Sequence, residues 1–151
     1  MDTVSSISLY AALVTTGLMA GVYLAFSIAV LPGLARADDD TFVSSMRGMN
    51  AAILNPVFGL VFGGPLVFGI VAVATRLPDG DDISSIGAAL GLYISTLLIT
   101  GGINVPLNNR LDSTEPPEAA RALFERSWVR WNVVRTVLCT LSFVELAVAI
   151  G

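Results

Sequence analysis

Three stretches of this chain, residues 3–35, 48–75 and 83–109, contain no Asp, Glu, Lys, Arg or His. Each is longer than the ~20 apolar residues that cross ~30 Å of hydrocarbon as a helix. A fourth stretch, Trp131 to Ile150, is apolar except for Arg135 and Glu145. In lipid a backbone must satisfy its own polar groups, and a helix does so within one segment. The whole-chain balance agrees: 54% of the residues are hydrophobic, 13% are charged and mean hydropathy is +0.77. A soluble domain carries about 25% charged residues. The expected fold is therefore an all-α membrane protein, a four-transmembrane-helix up-down bundle. It forms one domain over residues 1–151, with spans at about 5–33, 49–75, 83–107 and 128–150.

The first span reads as a retained helix. Ala35-Arg36-Ala37 resembles a signal cleavage site, but no positive charge precedes the apolar run, which is far longer than the ~7–15 residues of a signal core. Phe42, Met46 and Met49 recur at helical spacing, so helix 2 is expected to start near residue 41, outside the hydrocarbon. Thr114 followed by Pro116 and Pro117 marks a helix start, so helix 4 is expected to begin near residue 116 as a second extension. The RLPDGDD turn at 76–82 is short and makes helices 2 and 3 antiparallel neighbours. Arg36, Arg47, Arg110, Arg121 and Arg126 lie in or beside the first and third loops, and Arg76 alone lies on the opposite side. The positive-inside rule then puts those loops, and both extensions, in the cytoplasm and both termini outside it.

Several classes drop out. All eight basic residues are scattered arginines in a chain of net charge −4, which gives no electrostatic footprint for nucleic acid. Cys139 is the single cysteine and histidine is absent, so no intrachain disulfide forms and no ligand set for a transition metal or haem is evident. No nucleotide-binding motif appears. Glycines four apart, Gly17/Gly21, Gly59/Gly63 and Gly87/Gly91, suit close helix packing within the bundle or, in a homo-oligomer, against a second copy.

The informative residues are polar ones at span ends. Helix 2 opens with Asn50 and Asn55-Pro56, helix 3 ends with Asn104, Pro106, Asn108 and Asn109, and helix 4 opens with Trp128, Trp131, Asn132 and Arg135. Helix 1 ends at the same level with Pro32-Gly33 after Tyr23 and Phe26. Antiparallel topology brings all four groups to one depth. Trp128, Trp131, Asn132 and Arg135 share one helix face at i, i+3, i+4 and i+7, and Tyr93, Thr96, Thr100 and Asn104 form a stripe along helix 3. An arginine inside a span costs about 2.5–3.5 kcal/mol at the bilayer centre and less near its edge, so it must face the bundle and find acceptors. Pro56 and Pro106 also withdraw donors from the carbonyls of Ala52 and Gly102, which amide side chains can serve. Two readings stay open: a hydrogen-bond network that locks two kinked helices, and a pocket that presents Arg135, amides and a pair of indoles to a flat ligand.

GVYLAFSIAVLPGL, the N-x(4)-NP of MNAAILNP, NVPLNN and W-x-x-W-N-x-x-R together resemble the small four-helix membrane proteins that include the fungal anthrone oxygenases. The resemblance covers nearly the whole chain. It implies oxidation of an aromatic, lipophilic polyketide-like molecule by molecular oxygen, with no metal and no organic cofactor. The expected residence is the plasma membrane of a bacterium or archaeon. Arg135 with Asn104, Asn108 and Asn132 would then stabilise an enolate as a preorganised donor set. Asn50 and Asn55 would complete the site by resemblance, with Trp128, Trp131, Tyr23 and Phe26 as walls. A proton acceptor is the weak element, since Glu145 falls toward the opposite end and Glu125 lies only at the lip. The alternatives are a non-catalytic membrane protein that binds or transports a small molecule, and an accessory subunit.

Overall fold

The computed structural model describes residues 3–79 and 82–151. Gly80 and Asp81, within the expected 76–82 turn, lie outside the described residues. Four helices are long and apolar enough to span a membrane: α1 (Thr3–Leu34), α3 (Pro56–Arg76), α4 (Ser84–Ser113) and α5 (Pro117–Val148). The remaining helix, α2 (Asp39–Ala52), is amphipathic and separate from the spans. No strand occurs among the described residues. The chain is an integral membrane protein built as an up-down helical bundle.

The break between α2 and α3 corrects the expected continuous helix 2. Pro56 stands at the first turn of α3, where its missing N–H costs nothing, so it starts a helix instead of kinking one. Asn55 caps that helix: its Oδ1 accepts from the Phe58 N–H at 2.9 Å and its Nδ2 donates to the Ala52 carbonyl at 3.0 Å. Asp38 does the same for α2, accepting from the Thr41 N–H at 2.8 Å and from the Thr41 hydroxyl at 3.1 Å. α5 begins at Pro117 as expected. α4 runs to Ser113, six residues past the expected end.

Pro32 and Pro106 sit inside long helices, and each follows a π turn, Phe26–Val30 in α1 and Thr100–Asn104 in α4. A proline in a regular helix clashes with the carbonyl four residues back and cannot donate to it. A π turn adds one residue to the ladder, so the Leu31 N–H bonds to the Phe26 carbonyl and the Val105 N–H to the Thr100 carbonyl. Both turns lie at the same end of the bundle as α2.

α1 packs along α3 and α5, and α4 packs along α5; the α3–α4 seam is the thinnest of the four. The close backbone approaches are at Gly17, Gly64 and Gly69, where an added Cβ would meet Phe143, Thr15 and Leu90 at 2.9, 2.8 and 2.8 Å. Of the glycines spaced four apart, Gly17 makes such an approach, whereas Gly21, Gly59, Gly63, Gly87 and Gly91 face open space within this single chain, and the spacing did not mark Gly64 or Gly69. A repeat of four marks a face of a helix, not the direction in which that face points. At the α2 end a distinct core of Leu31, Phe42, Val43, Met46, Leu107, Leu111, Phe124 and Trp128 joins α2 to the extensions of α4 and α5. Arg47 ties α2 down by donating to the carbonyls of Leu111 and Thr114 and pairing with Glu115 at 2.9 Å.

Candidate functional site

Arg135 projects from α5 into the bundle and is 5% exposed. Its Nη2 donates to Asn132 Oδ1 at 2.9 Å and its Nη1 to Thr100 Oγ1 at 3.1 Å. The guanidinium carbon stands 4.6 Å from the Tyr23 ring centroid and 5.3 Å from that of Trp128. Among the described residues no carboxylate pairs with it and its Nε has no partner. The charge is held by ring faces and two neutral oxygens.

Asn132 is held from both sides. Its Nδ2 donates to Ser27 Oγ at 2.8 Å and to the Tyr23 carbonyl at 3.1 Å, and Ser27 is hydrogen-bonded to Thr136 at 2.9 Å. The Oδ1 therefore has a fixed direction toward Arg135. Trp128 Nε1 donates to Asn108 Oδ1 at 2.8 Å, which fixes the indole, and Trp128 stacks on Phe124 at 5.6 Å between ring centroids.

These groups line a cavity of about 840 Å³ at the α2 end of the bundle. Its inner part is formed by Tyr23, Phe26, Thr100, Asn104, Asn132 and Arg135. The outer part includes Asn50, Asn55, Asn108, Arg47 and Asp112, and Phe58 and Phe62 of α3 close one side. Asn104 is 1% exposed, and neither its Oδ1 nor its Nδ2 has a partner. Tyr23 Oη lies beside Thr100 and Arg135 without hydrogen-bonding geometry to either, and Asn50 Nδ2 is also unpartnered.

Of the residues singled out from the sequence, Tyr23, Phe26, Asn50, Asn55, Asn104, Asn108, Trp128, Asn132 and Arg135 meet at this cavity. Trp131 does not line it and is half-buried elsewhere on α5. With Trp128, Asn132 and Arg135 turned inward at i, i+4 and i+7, position i+3 falls at the edge of the face. Asn55 borders the cavity, but both ends of its amide serve the backbone. Glu125 is taken by Arg121, at 2.7 Å, and is not among the lining residues. Asp112, Arg47, Phe58 and Phe62 were not foreseen. Asp112 continues the Asn104, Asn108 spacing by one more turn, a signal hidden by ending helix 3 too early.

The fold and this site define a small helical membrane protein whose bundle encloses a polar, aromatic-walled cavity around an unpaired buried arginine. The family model described as "Anthrone oxygenase" matches residues 51–144, and the chain belongs to that family. The match takes in Asn55-Pro56, NVPLNN and W-x-x-W-N-x-x-R and leaves out the α1 segment and Asn50. Neither a curated protein nor a solved structure matches the chain.

Proposed function

We propose that the cavity binds a flat, lipophilic, hydroxylated aromatic ketone and stabilises its enolate for reaction with molecular oxygen, as the name of the family indicates. One observation carries this reading. Among the described residues, the buried side-chain polar atoms without a partner are Tyr23 Oη, Asn50 Nδ2, Asn104 Nδ2 and Oδ1, and Arg135 Nε, and every one belongs to a residue that lines the cavity. Each unsatisfied buried group costs about 1–3 kcal/mol. A network serving the fold alone would have few reasons to leave so many together. None of these atoms is accessible from the cavity itself, so a ligand with a carbonyl or phenolic edge satisfies them by drawing the side chains that carry them inward.

The chemistry follows from an anthrone-type substrate. Loss of a proton from its central methylene gives an enolate with charge on the former carbonyl oxygen. Arg135 Nε and Asn104 Nδ2 are the free donors suited to that oxygen, and aromatic walls keep the rings in place. The enolate passes one electron to oxygen, and the carbon radical and superoxide join in a C–O bond at the former methylene carbon. The resulting peroxide anion takes one proton, then loses the second C–H proton and breaks its O–O bond, and the departing hydroxide takes a second proton. One oxygen stays as the new carbonyl and the other leaves as water. The substrate carbon supplies all four electrons. The two protons taken from the methylene return on the departing oxygen, so none is released overall, and Asp112 is the lining carboxylate of the outer wall that can relay them.

Oxygen uptake by the purified protein with 1,8-dihydroxyanthrone tests the reading. Uptake above the spontaneous rate, lost in Arg135→Met and in Asn104→Leu, is expected; uptake equal in all three defeats it. A second reading, binding or transport without turnover, is favoured by one feature: the inner part of the cavity has donors but no carboxylate to accept the first proton. Saturable binding of the corresponding anthraquinone with no oxygen uptake selects it. The arginine bias of the first and third loops supports putting the cavity in the cytoplasmic leaflet. A charged maleimide added from the cytoplasmic side should label Asp39→Cys and Ser113→Cys; labelling only from the other side reverses the orientation.

A further inference from the structure

We infer that the cavity is loaded from the bilayer, through a slit between α3 and the last half of α4, and not from water. α3 packs on α1 and on the first part of α4 but makes no comparable contact with the π turn or the final turns of α4. The seam is closed below by Tyr93, whose Oη donates to the Phe62 carbonyl at 2.6 Å, and by Leu90 against Gly69. Above that tie the two helices diverge, and the lining residues Leu54, Pro56 and Gly59 on one side and Val105 and Asn109 on the other are exposed. Glycine leaves the α3 edge open: a Cβ at the lining residue Gly59 would meet nothing within 4 Å.

Depth identifies what faces this gap. α3 has 21 residues, about 31 Å at 1.5 Å per residue, which matches the ~30 Å of hydrocarbon. Pro56 is then at one edge of the hydrocarbon, with Gly59 about 4–5 Å and Phe62 about 9 Å inside it. The flanking side chains are those of a lipid-facing surface: Leu54, Val57 and Leu60 are 81%, 72% and 62% exposed. The aqueous end is capped by packed helices. α2 and the extensions of α4 and α5 bury Phe42, Met46, Leu111 and Phe124 over it, and Arg47 fastens α2 to the end of α4. The polar rim of the cavity is formed by the lining residues Arg47 and Asn50 of α2 and Asn109 and Asp112 of α4. The slit therefore admits a lipophilic molecule dissolved in the leaflet, and a phospholipid acyl chain is the occupant in its absence.

The test reads lipid entry and is independent of turnover, so it can fail or succeed apart from the oxygenase reading. Trp131→Phe leaves Trp128, a cavity-lining residue, as the single tryptophan. This variant is reconstituted in vesicles of phosphatidylcholine brominated at acyl carbons 6 and 7, and separately in unbrominated vesicles with acrylamide in the water. Bromolipid should quench Trp128 at least twofold more than acrylamide does. Adding Gly59→Phe, or Val105→Phe at the lining position on the opposite edge, should remove most of that quenching. Either plug suffices if the other variant fails to fold. Strong acrylamide quenching with weak bromolipid quenching overturns the proposal, as does bromolipid quenching that neither plug reduces.

Discussion

Replacing Arg135 with methionine separates a ligand-binding arginine from a structural one, and the structure sets the expected size of the change. The substitution leaves Asn132 Oδ1 without its 2.9 Å donor, a loss of about 1–3 kcal/mol for one buried acceptor. Thr100 loses less, because its hydroxyl still bonds the Thr96 carbonyl at 2.8 Å. The ring contacts to Tyr23 and Trp128 are worth about 0.5–2 kcal/mol each. Against this, the variant no longer holds an unpaired cation inside the span, which costs up to about 2.5–3.5 kcal/mol. The methionine also packs against the same rings, worth about 0.3–1.5 kcal/mol. The sums nearly cancel, so Arg135→Met should unfold within about 2 kcal/mol of the parent in denaturant titrations in mixed micelles. Oxygen uptake should fall by about 10²–10³-fold, the usual cost of removing one preorganised oxyanion donor. A loss of about 3–5 kcal/mol, typical of breaking a buried charge network, would make the arginine a structural keystone and refute the reasoning.

Other substitutions follow from local geometry. Gly64→Ala puts a Cβ 2.8 Å from Thr15 Cγ2 and should cost about 1–3 kcal/mol by overpacking, whereas Gly63→Ala meets nothing and should be neutral or stabilising by up to ~1 kcal/mol; thermal unfolding of the pair in one detergent checks both. Asn55→Ala removes the cap of α3 and leaves the Ala52 carbonyl bare, so a loss of about 1 kcal/mol is expected, while Asn55→Asp should keep most of the cap and isolate the lost donor. The bonds from Thr41 to Asp38 hold its carboxyl below the usual range, so the cap is complete above pH ~4 and is lost as pH falls through the lowered value. Circular dichroism of the parent between pH 5 and 2 should show an added helix loss that Asp38→Asn, which caps without a charge, does not show.

What the chain displayed in one dimension was its spans and the level of its polar residues. Charge-free stretches of sufficient length define helices whatever their partners are, and antiparallel topology brings Asn104, Asn132 and Arg135 level without knowledge of any contact. Phase was legible on α5, where regular helix runs from Trp128 to Arg135. It was illegible where the helix type changes. Pro56 and Pro106 look alike in sequence, yet one begins a helix after an asparagine cap and the other is accommodated within a continuing helix by a π turn. The glycine pairs were only partly informative for a related reason: packing is decided by which face turns inward, and bulky partners on other helices select Gly17 from the pairs, against Phe143, and Gly64 and Gly69 from outside them, against Thr15 and Leu90.

The two π turns explain why the site stands at this end of the bundle. Each precedes its proline at the same interval, in FSIAV-L-P and TGGIN-V-P, and each supplies a hydroxyl to α5: Ser27 accepts from Asn132 and Thr100 accepts from Arg135. A regular helix would turn each hydroxyl about one residue away from where it stands, since the inserted residue shifts the phase by roughly 100°. The prolines thus act less as kinks than as the reason the inserted residue is retained, because a regular ladder through Pro32 or Pro106 carries a clash that the wider turn relieves. Once α1 and α4 are fixed in this way, Asn132 and Arg135 have neutral acceptors on both sides. The polar atoms left over, Asn104 and Arg135 Nε above all, belong to residues that line the cavity.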